Sequence, residues 1–353
     1  MPHLHRLAGL LLLCAVIAGV FAPPQADHDA SPGGSTRKVV ERRPADDRAG
    51  PPPASAPAAA RTAAANELGE VPVLMYHRII AKPQSSLDRR PEDLRAELTR
   101  LAREGYVPVT AAEFVSARMD IPAGRHPVVL TFDDGSNTHL ALDAQGDPMP
   151  DTAVGVIMAV AAQNPGFRPV ATFFVNHDPF TLGPRTADAV RWLVQHGFEI
   201  ANHTTHHLDL AGMSKEQVQK EIGTDQRMII DLGGAPPITF AFPFGAFAHL
   251  DWVDHGNAGG AKWDFAGLFL AGWKPASSPY LKGYDPRGIP RIRSQGKIKE
   301  DGCKQFCSEA WLDWLAHNPD RRYTSDGDPR VISYPAAKAG YLAGRYRPLG
   351  RAY

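Results

Sequence analysis

The sequence predicts an α/β fold, a (β/α) barrel, and two observations lead there. From residue 71 onward, short apolar runs of strand length alternate with segments of helical period, the pattern of a parallel sheet with crossover helices. Four of the apolar runs stop at polar or turn-forming residues. Val71–Tyr76 stops at His77, Val128–Phe132 at Asp133-Asp134, Phe198–Ala201 at Asn202-His203, and Ile238–Phe242 at Pro243-Phe244-Gly245. Parallel strands that deliver their chemistry at their C-terminal ends build a site at a barrel mouth; an open sheet places its site at the same end.

The chain has 353 residues, with 43% hydrophobic and 22% charged, enough for one large domain or two small ones. Its formal net charge of +0 gives no electrostatic reason to expect nucleic acid or an anionic membrane as partner. Residues 1–22 read as a signal peptide or membrane anchor, with a weakly basic start and an apolar run from Leu7 to Phe21. An exported protein is expected, secreted, periplasmic or tethered at the surface, touching membrane only through this segment. Leu12-Leu13 ahead of Cys14 argue against lipidation there. Residues 23–68 are Pro, Ala, Gly, Ser and charge, a composition that cannot bury enough surface to offset chain entropy. They are expected to form a disordered linker. A catalytic domain is expected over 69–299, and residues 300–353 as an extension packed on it.

Within the domain, Pro91 suits a first helical turn, and Leu94, Leu98 and Leu101 repeat at helical spacing up to Gly105. A short helix follows from about Ala111 to Arg118, then the strand Pro127–Phe132. Ser136–Met149 is polar and reads as an inserted loop beside the site. A helix is predicted over 151–163 and a strand over Val170–Val175. Thr186 is the expected cap of a helix running to Gly197. Ser214 and Gln217 have capping-box spacing for a helix through Ile230. Ala266–Leu270 and Gly288–Ile292 are the last candidate strands.

The candidate site follows from residue type. Two adjacent carboxylates resist joint ionisation unless a metal or a base role separates their tasks. His203 and His207 lie four apart, so a helical turn would put both on one face. Two imidazoles and a carboxylate, here Asp134, with positions left for water, make a catalytic zinc-type site. Hydrolysis also needs a base and an acid: Asp133 is placed for the first and His77 for the second. His206 faces away from its neighbours and is not expected to ligate. The alternative is that the histidines are surface residues and Asp-Asp-Gly a turn.

Thr131-Phe132-Asp133-Asp134-Gly135, His203-Thr204-Thr205-His206-His207 and Phe242-Pro243-Phe244-Gly245 resemble, in order and spacing, the motifs of the polysaccharide deacetylase family. These are the NodB-like enzymes of carbohydrate esterase family four. Pro72–Ile79 resembles the permuted poly-N-acetylglucosamine deacetylase branch. The resemblance implies a distorted (β/α) barrel, a divalent metal (usually Zn2+) and a polysaccharide or oligosaccharide substrate. It implies Asp133 as base, Asp134, His203 and His207 as ligands, and His77 as acid. Transition-state support would come from a backbone N–H near Phe244 and Gly245.

Departures bear on this. Many members carry an arginine two residues before the motif proline, where Ala241 stands here. Arg291, in Ile289-Pro290-Arg291-Ile292, either supplies that cation or is an ordinary surface arginine. Leu315-Ala316-His317 offers a rival acid. Trp273 and Tyr280 either stack on a sugar or pack in the core. Cys303 and Cys307 are spaced to bridge in an exported chain. The expected activity is hydrolysis of N-acetyl groups. The rivals are O-acetyl ester hydrolysis, a non-catalytic glycan-binding module, and an iron oxygenase using His207-Leu208-Asp209. The last leaves the Asp-Asp strand end without a role.

Overall fold

The computed structural model describes residues 56–245, 249–294 and 307–353. Its centre is a curled sheet of parallel strands. These are β1 (Val73–Tyr76), β2 (Tyr106–Val109), β3 (His126–Asp133), β4 (Thr172–Val175), β5 (Glu199–Asn202), β6 (Thr239–Ala241), β9 (Gly267–Phe269) and β10 (Ile292–Arg293). The order is β10-β1-β3-β4-β5-β6-β9, with β2 beside the first half of β3. An antiparallel hairpin, β7 (His255–Ala258) and β8 (Ala261–Asp264), lies between β6 and β9 in the chain.

The two edges of the sheet meet on one short segment. Ile289 bridges Phe269 of β9, and Ile292 pairs with Leu74 of β1. The chain from 286 to 293 thus bonds β9 with its first half and β1 with its second, which is the distortion of the barrel. The predicted strand Gly288–Ile292 is divided between these two partners.

Helices cover the outside: α2 (Pro91–Arg103), α3 (Ala111–Val115), α4 (Ala153–Gln163), α5 (Thr186–Gln195) and α6 (Lys215–Asp231). The capping box at Ser214 and Gln217 is made in both directions. Thr186 is the first residue of α5 and not its cap; Arg185 precedes it without a side-chain cap bond. β2 was not expected from sequence, because Pro108 sits in its middle. There it pairs only with β3, the edge position a strand proline tolerates.

Side chains alternate between the two faces of the sheet with period two. Val73, Val129, Phe174, Ala201, Ala241 and Phe269 form one core cluster. Leu74, Tyr76, Leu130, Phe132, Phe173 and Val175 belong to another, beneath α2, α4 and α5. The first cluster continues into Leu68, Tyr280, Tyr323, Ile332 and Tyr334, so residues beyond the deacetylase-like stretch close that core. Tyr334 ends β11 (Ile332–Tyr334), which pairs with β12 (Gly350–Ala352).

The expected signal or anchor, residues 1–22, lies outside the described residues, as does most of the linker. Its last part is folded. Ala56–Thr62 is helix α1, and Ala60, Ala65, Asn66, Glu67 and Leu68 are buried. Composition misjudges this stretch because its partners are distant: Asn66 bonds the backbone of Asp320 and Arg322, and Glu67 accepts from the Ser333 N–H. Cys303 lies outside the described residues; Cys307 is buried and disulfide-bonded.

Candidate active site

The period of the strands brings the first three site residues together. Val129 and Thr131 share a face of β3 with Asp133. Val73 and Met75 share a face with His77, one residue past β1. Ala201 shares one with His203, one residue past β5. His77, Asp133 and His203 are therefore carried to the same mouth by ordinary strand geometry. The other site residues sit beyond the strands and arrive through left-handed backbone: Asp134 (φ 77°), His207 (φ 51°) and Phe244 (φ 57°).

Asp133 is 2% exposed, and Arg291 is 1% exposed beside it. Two guanidinium nitrogens donate to its two carboxylate oxygens at 2.6 and 2.7 Å. Arg291 also donates through Nε to the Leu270 carbonyl (2.7 Å) and through Nη1 to Thr131 Oγ1 (3.2 Å). Burial alone would raise the Asp133 carboxyl. Arg291, helped by His203, more than offsets that and holds it below its ordinary value. Of the two readings of Arg291, a surface arginine is excluded: it is the cation on Asp133.

Asp134, His203 and His207 form the one group among the described residues able to hold a metal, their donor atoms all within 4.8 Å of one another. Asp134 Oδ1 lies 3.6 Å from His203 Nε2 and 3.3 Å from His207 Nε2. His203 donates its Nδ1–H to the Ala241 carbonyl at 2.8 Å, so Nε2 is the ring nitrogen aimed at Asp134. That is the tautomer and orientation a ligating imidazole needs. Burial pushes His207 below its ordinary value, towards the neutral form that ligates. The donor set fits a divalent ion of the zinc type.

His203-Thr204-Thr205-His206-His207 is not the helical turn that its spacing suggests. It is a loop in which Thr204 (φ 67°) and His207 both take left-handed backbone, and it sets the two rings 4.9 Å apart. Neighbouring elements hold it. Asn176, after β4, donates to the His203 and Thr204 carbonyls; on α6, Asp225 accepts the His203 N–H and Glu221 accepts from His206 N and Nδ1. His206 is thereby turned away from the metal-capable group. Asn176, Glu221 and Asp225 carry no sequence signal of their own.

His77 is half-buried at the same mouth. Burial lowers its imidazole, while Asp133 and Asp134 pull the other way. His317, the rival acid, is exposed on helix α7 (Ser308–His317), where its Nδ1 bonds the Asp313 carbonyl. Phe244 is 69% exposed, its ring 4.5 Å from His207. The Gly245 N–H is committed to the Phe242 carbonyl, so among the described residues of the Pro243-Phe244-Gly245 turn it is Phe244 that can offer a backbone donor. Trp273 is 48% exposed, with its carbonyl bonded by the Trp311 indole. Tyr280 is core: it is 5% exposed and its hydroxyl donates to Ala117 O.

The family model for polysaccharide deacetylases matches residues 120–254, the stretch that holds the Asp-Asp, His-His and Pro-Phe-Gly segments. The chain carries a polysaccharide deacetylase domain. His77 and Arg291 reach its site from either side of the matched segment. Among curated proteins, the chain is 25% identical over 182 residues to YxkH of Bacillus subtilis, assigned as a polysaccharide deacetylase, covering 50% of this chain and 58% of that one. It is 33% identical over 103 residues to a chitooligosaccharide deacetylase of Rhizobium leguminosarum bv. trifolii, covering 29% of this chain and 39% of that one. Among solved structures, the Streptococcus pyogenes deacetylase PplD in complex with acetate superposes with a TM-score of 0.51 at 19% identity, over 69% of this chain and 97% of that one. A polysaccharide deacetylase from Bacillus cereus gives 0.51 at 18%, over 69% and 68%. The deacetylase domain shares their fold.

Proposed function

We propose that this protein is an exported, metal-dependent carbohydrate deacetylase that removes N-acetyl groups from an N-acetylglucosamine-containing polysaccharide. The observation that carries the reading is one mouth holding three metal-capable donors, a buried carboxylate fixed by an arginine, and a histidine close enough to feel the charge of Asp133 and Asp134. A pure binding module has no use for the Asp133–Arg291 pair, and an iron oxygenase has no use for Asp133.

Asp134, His203 and His207 would hold the ion, Zn2+, which supplies carbonyl polarisation and an acidified water when bound. Asp133, kept ionised by Arg291, takes a proton from the attacking water. The Phe244 N–H donates to the oxyanion that develops as the acetyl carbon becomes tetrahedral. The C–N bond then breaks, His77 gives its proton to the leaving amine nitrogen, and acetate departs. Trp273, exposed in the turn after β9, offers a face for a sugar ring.

The test is acetate release by the purified, zinc-loaded protein from N-acetylglucosamine oligomers and, in parallel, from an acetylated xylan. Chelator-sensitive acetate from the oligomers is the expected result. Acetate from the xylan alone would move the assignment to O-acetyl ester hydrolysis. Zinc uptake without acetate from either would remove the enzymatic reading for these glycans.

A further inference from the structure

His139 lies in the polar loop that follows Asp133-Asp134, yet it is fully buried, with its ring 5.4 Å from that of Phe132 and 5.8 Å from that of Phe173. An apolar side chain would fill this aromatic pocket without the desolvation cost of an imidazole. The imidazole makes one hydrogen bond: Nε2 lies 2.9 Å from the carbonyl oxygen of His77. A carbonyl only accepts, so Nε2 carries the proton. Nδ1 is then a bare acceptor, buried without a partner. The residue spends one unsatisfied polar atom to hold one carbonyl.

That carbonyl belongs to a residue the sheet no longer holds. Pairing of β1 with β3 ends at Tyr76 and Phe132, and His77 is the next residue. The same loop grips the chain again two residues on, where Thr138 Oγ1 accepts the Ile79 N–H at 2.9 Å. Thr138 is itself fixed by Ser136, Oγ to Oγ1 at 3.0 Å. Both bonds come from a loop whose other end is the Asp-Asp pair, so they tie the backbone of His77–Ile79 to the strand that carries Asp133.

We propose that His139, with Thr138, is a positioning residue for His77: its N–H fixes the His77 backbone so that the imidazole meets the leaving amine. This rests on the reading of His77 as the acid. The separating variants are His139→Leu, which fills the pocket without a donor, and His139→Gln, whose amide nitrogen can reach the Nε2 position. Each is measured for kcat and KM on N-acetylglucosamine oligomers, for the rate on an aryl acetate ester whose leaving group needs no proton, for zinc content and for Tm.

Misplacing the acid predicts that His139→Leu loses about 10- to 100-fold in kcat on the oligomers. KM, zinc content and the aryl acetate rate should stay near those of the wild type. His139→Gln should recover most of the loss, and His139→Leu should add little in a His77→Ala background. Equal losses on both substrates, lost zinc, or a Gln variant as poor as Leu would make the role structural and overturn the proposal. If His77→Ala slows the oligomers but His139→Leu does not, this inference alone fails. If His77→Ala leaves the oligomer rate unchanged, the acid assignment fails and takes this inference with it.

Discussion

Replacing Arg291 is the most demanding test of how this site is built. The guanidinium is 1% exposed and donates four hydrogen bonds, two of them to Asp133. Arg291→Met removes the charge and all four donors while keeping much of the stem. It strands a buried carboxylate, and breaking a buried ion pair by removing one partner costs about 3–5 kcal/mol. Urea unfolding of the zinc-free protein should show that loss. Asp133→Asn in the same background removes the stranded charge, so the double variant should be more stable than the two single losses added together predict. A coupling of about 1–3 kcal/mol is expected. Arg291→Lys keeps a charge but not the planar fork that meets both carboxylate oxygens, and should fall between the two. Activity per zinc-loaded molecule should drop about tenfold or more in Arg291→Met, since the fork that fixes both oxygens of the Asp133 carboxylate is gone. Wild-type stability in Arg291→Met, or strict additivity in the double variant, would refute the argument that this pair organises the site.

The remaining predictions concern metal, pH and backbone approach. Asp134→Ala and His203→Ala should each lose zinc measured by metal analysis, whereas Asp133→Asn should retain zinc and lose acetate release; full zinc in either of the first two would break the ligand assignment. His126 donates Nδ1–H to the Tyr323 carbonyl at 2.7 Å, and burial with Arg322 nearby lowers it to about 4. Its folded value lies below its unfolded value of 6.5, so its contribution is complete above pH 6.5 and fades as pH falls towards 4, by up to about 3 kcal/mol. His126→Asn keeps a donor without titrating and should flatten that part of a stability–pH curve. A Cβ on Gly272 would collide with the Arg291 carbonyl oxygen, whereas Gly283 has nothing within 4 Å. Gly272→Ala should therefore destabilise by about 2 kcal/mol or more and Gly283→Ala by less than about 0.5 kcal/mol, both read by thermal unfolding.

What the sequence disclosed is what strands and short motifs encode locally. The apolar runs at 73–76, 128–132 and 199–201 lead to His77, Asp133 and His203, and period two alone carries those residues to one mouth. The interactions it concealed join positions far apart in the chain. β2 was hidden by Pro108, which an edge pairing tolerates. The fold of residues 56–68 was hidden because Asn66 and Glu67 find their partners at 320–333. Arg291 could be suspected from its motif, but its burial depends on how the segment 286–293 spans from β9 to β1. His139 looked like loop polarity, since nothing local says that its ring turns inward to a carbonyl 62 positions away.

The site residues fall into two classes with different physical support. His77, Asp133 and His203 continue strand registers, so the hydrogen-bond ladders that hold the barrel hold them as well. Asp134, His207 and Phe244 depend on left-handed backbone, which costs a non-glycine residue of order 1–3 kcal/mol and persists only where the surroundings over-determine it. The surroundings here do so. Gly135 follows Asp134 with its own positive φ, and its carbonyl accepts the Phe180 N–H at 2.6 Å. Phe180 is itself left-handed, and it is fixed by full burial edge-on to Phe173. His207 donates its N–H to Thr204 Oγ1, and Thr204 donates its own to Asn202 Oδ1. The strained residues thus sit on the loops, and the burial that offsets their strain sits on β4, β5 and α6. A metal-capable group assembled this way needs the whole barrel to be folded, which is why three donors separated by 73 residues of chain can stand within 4.8 Å of one another.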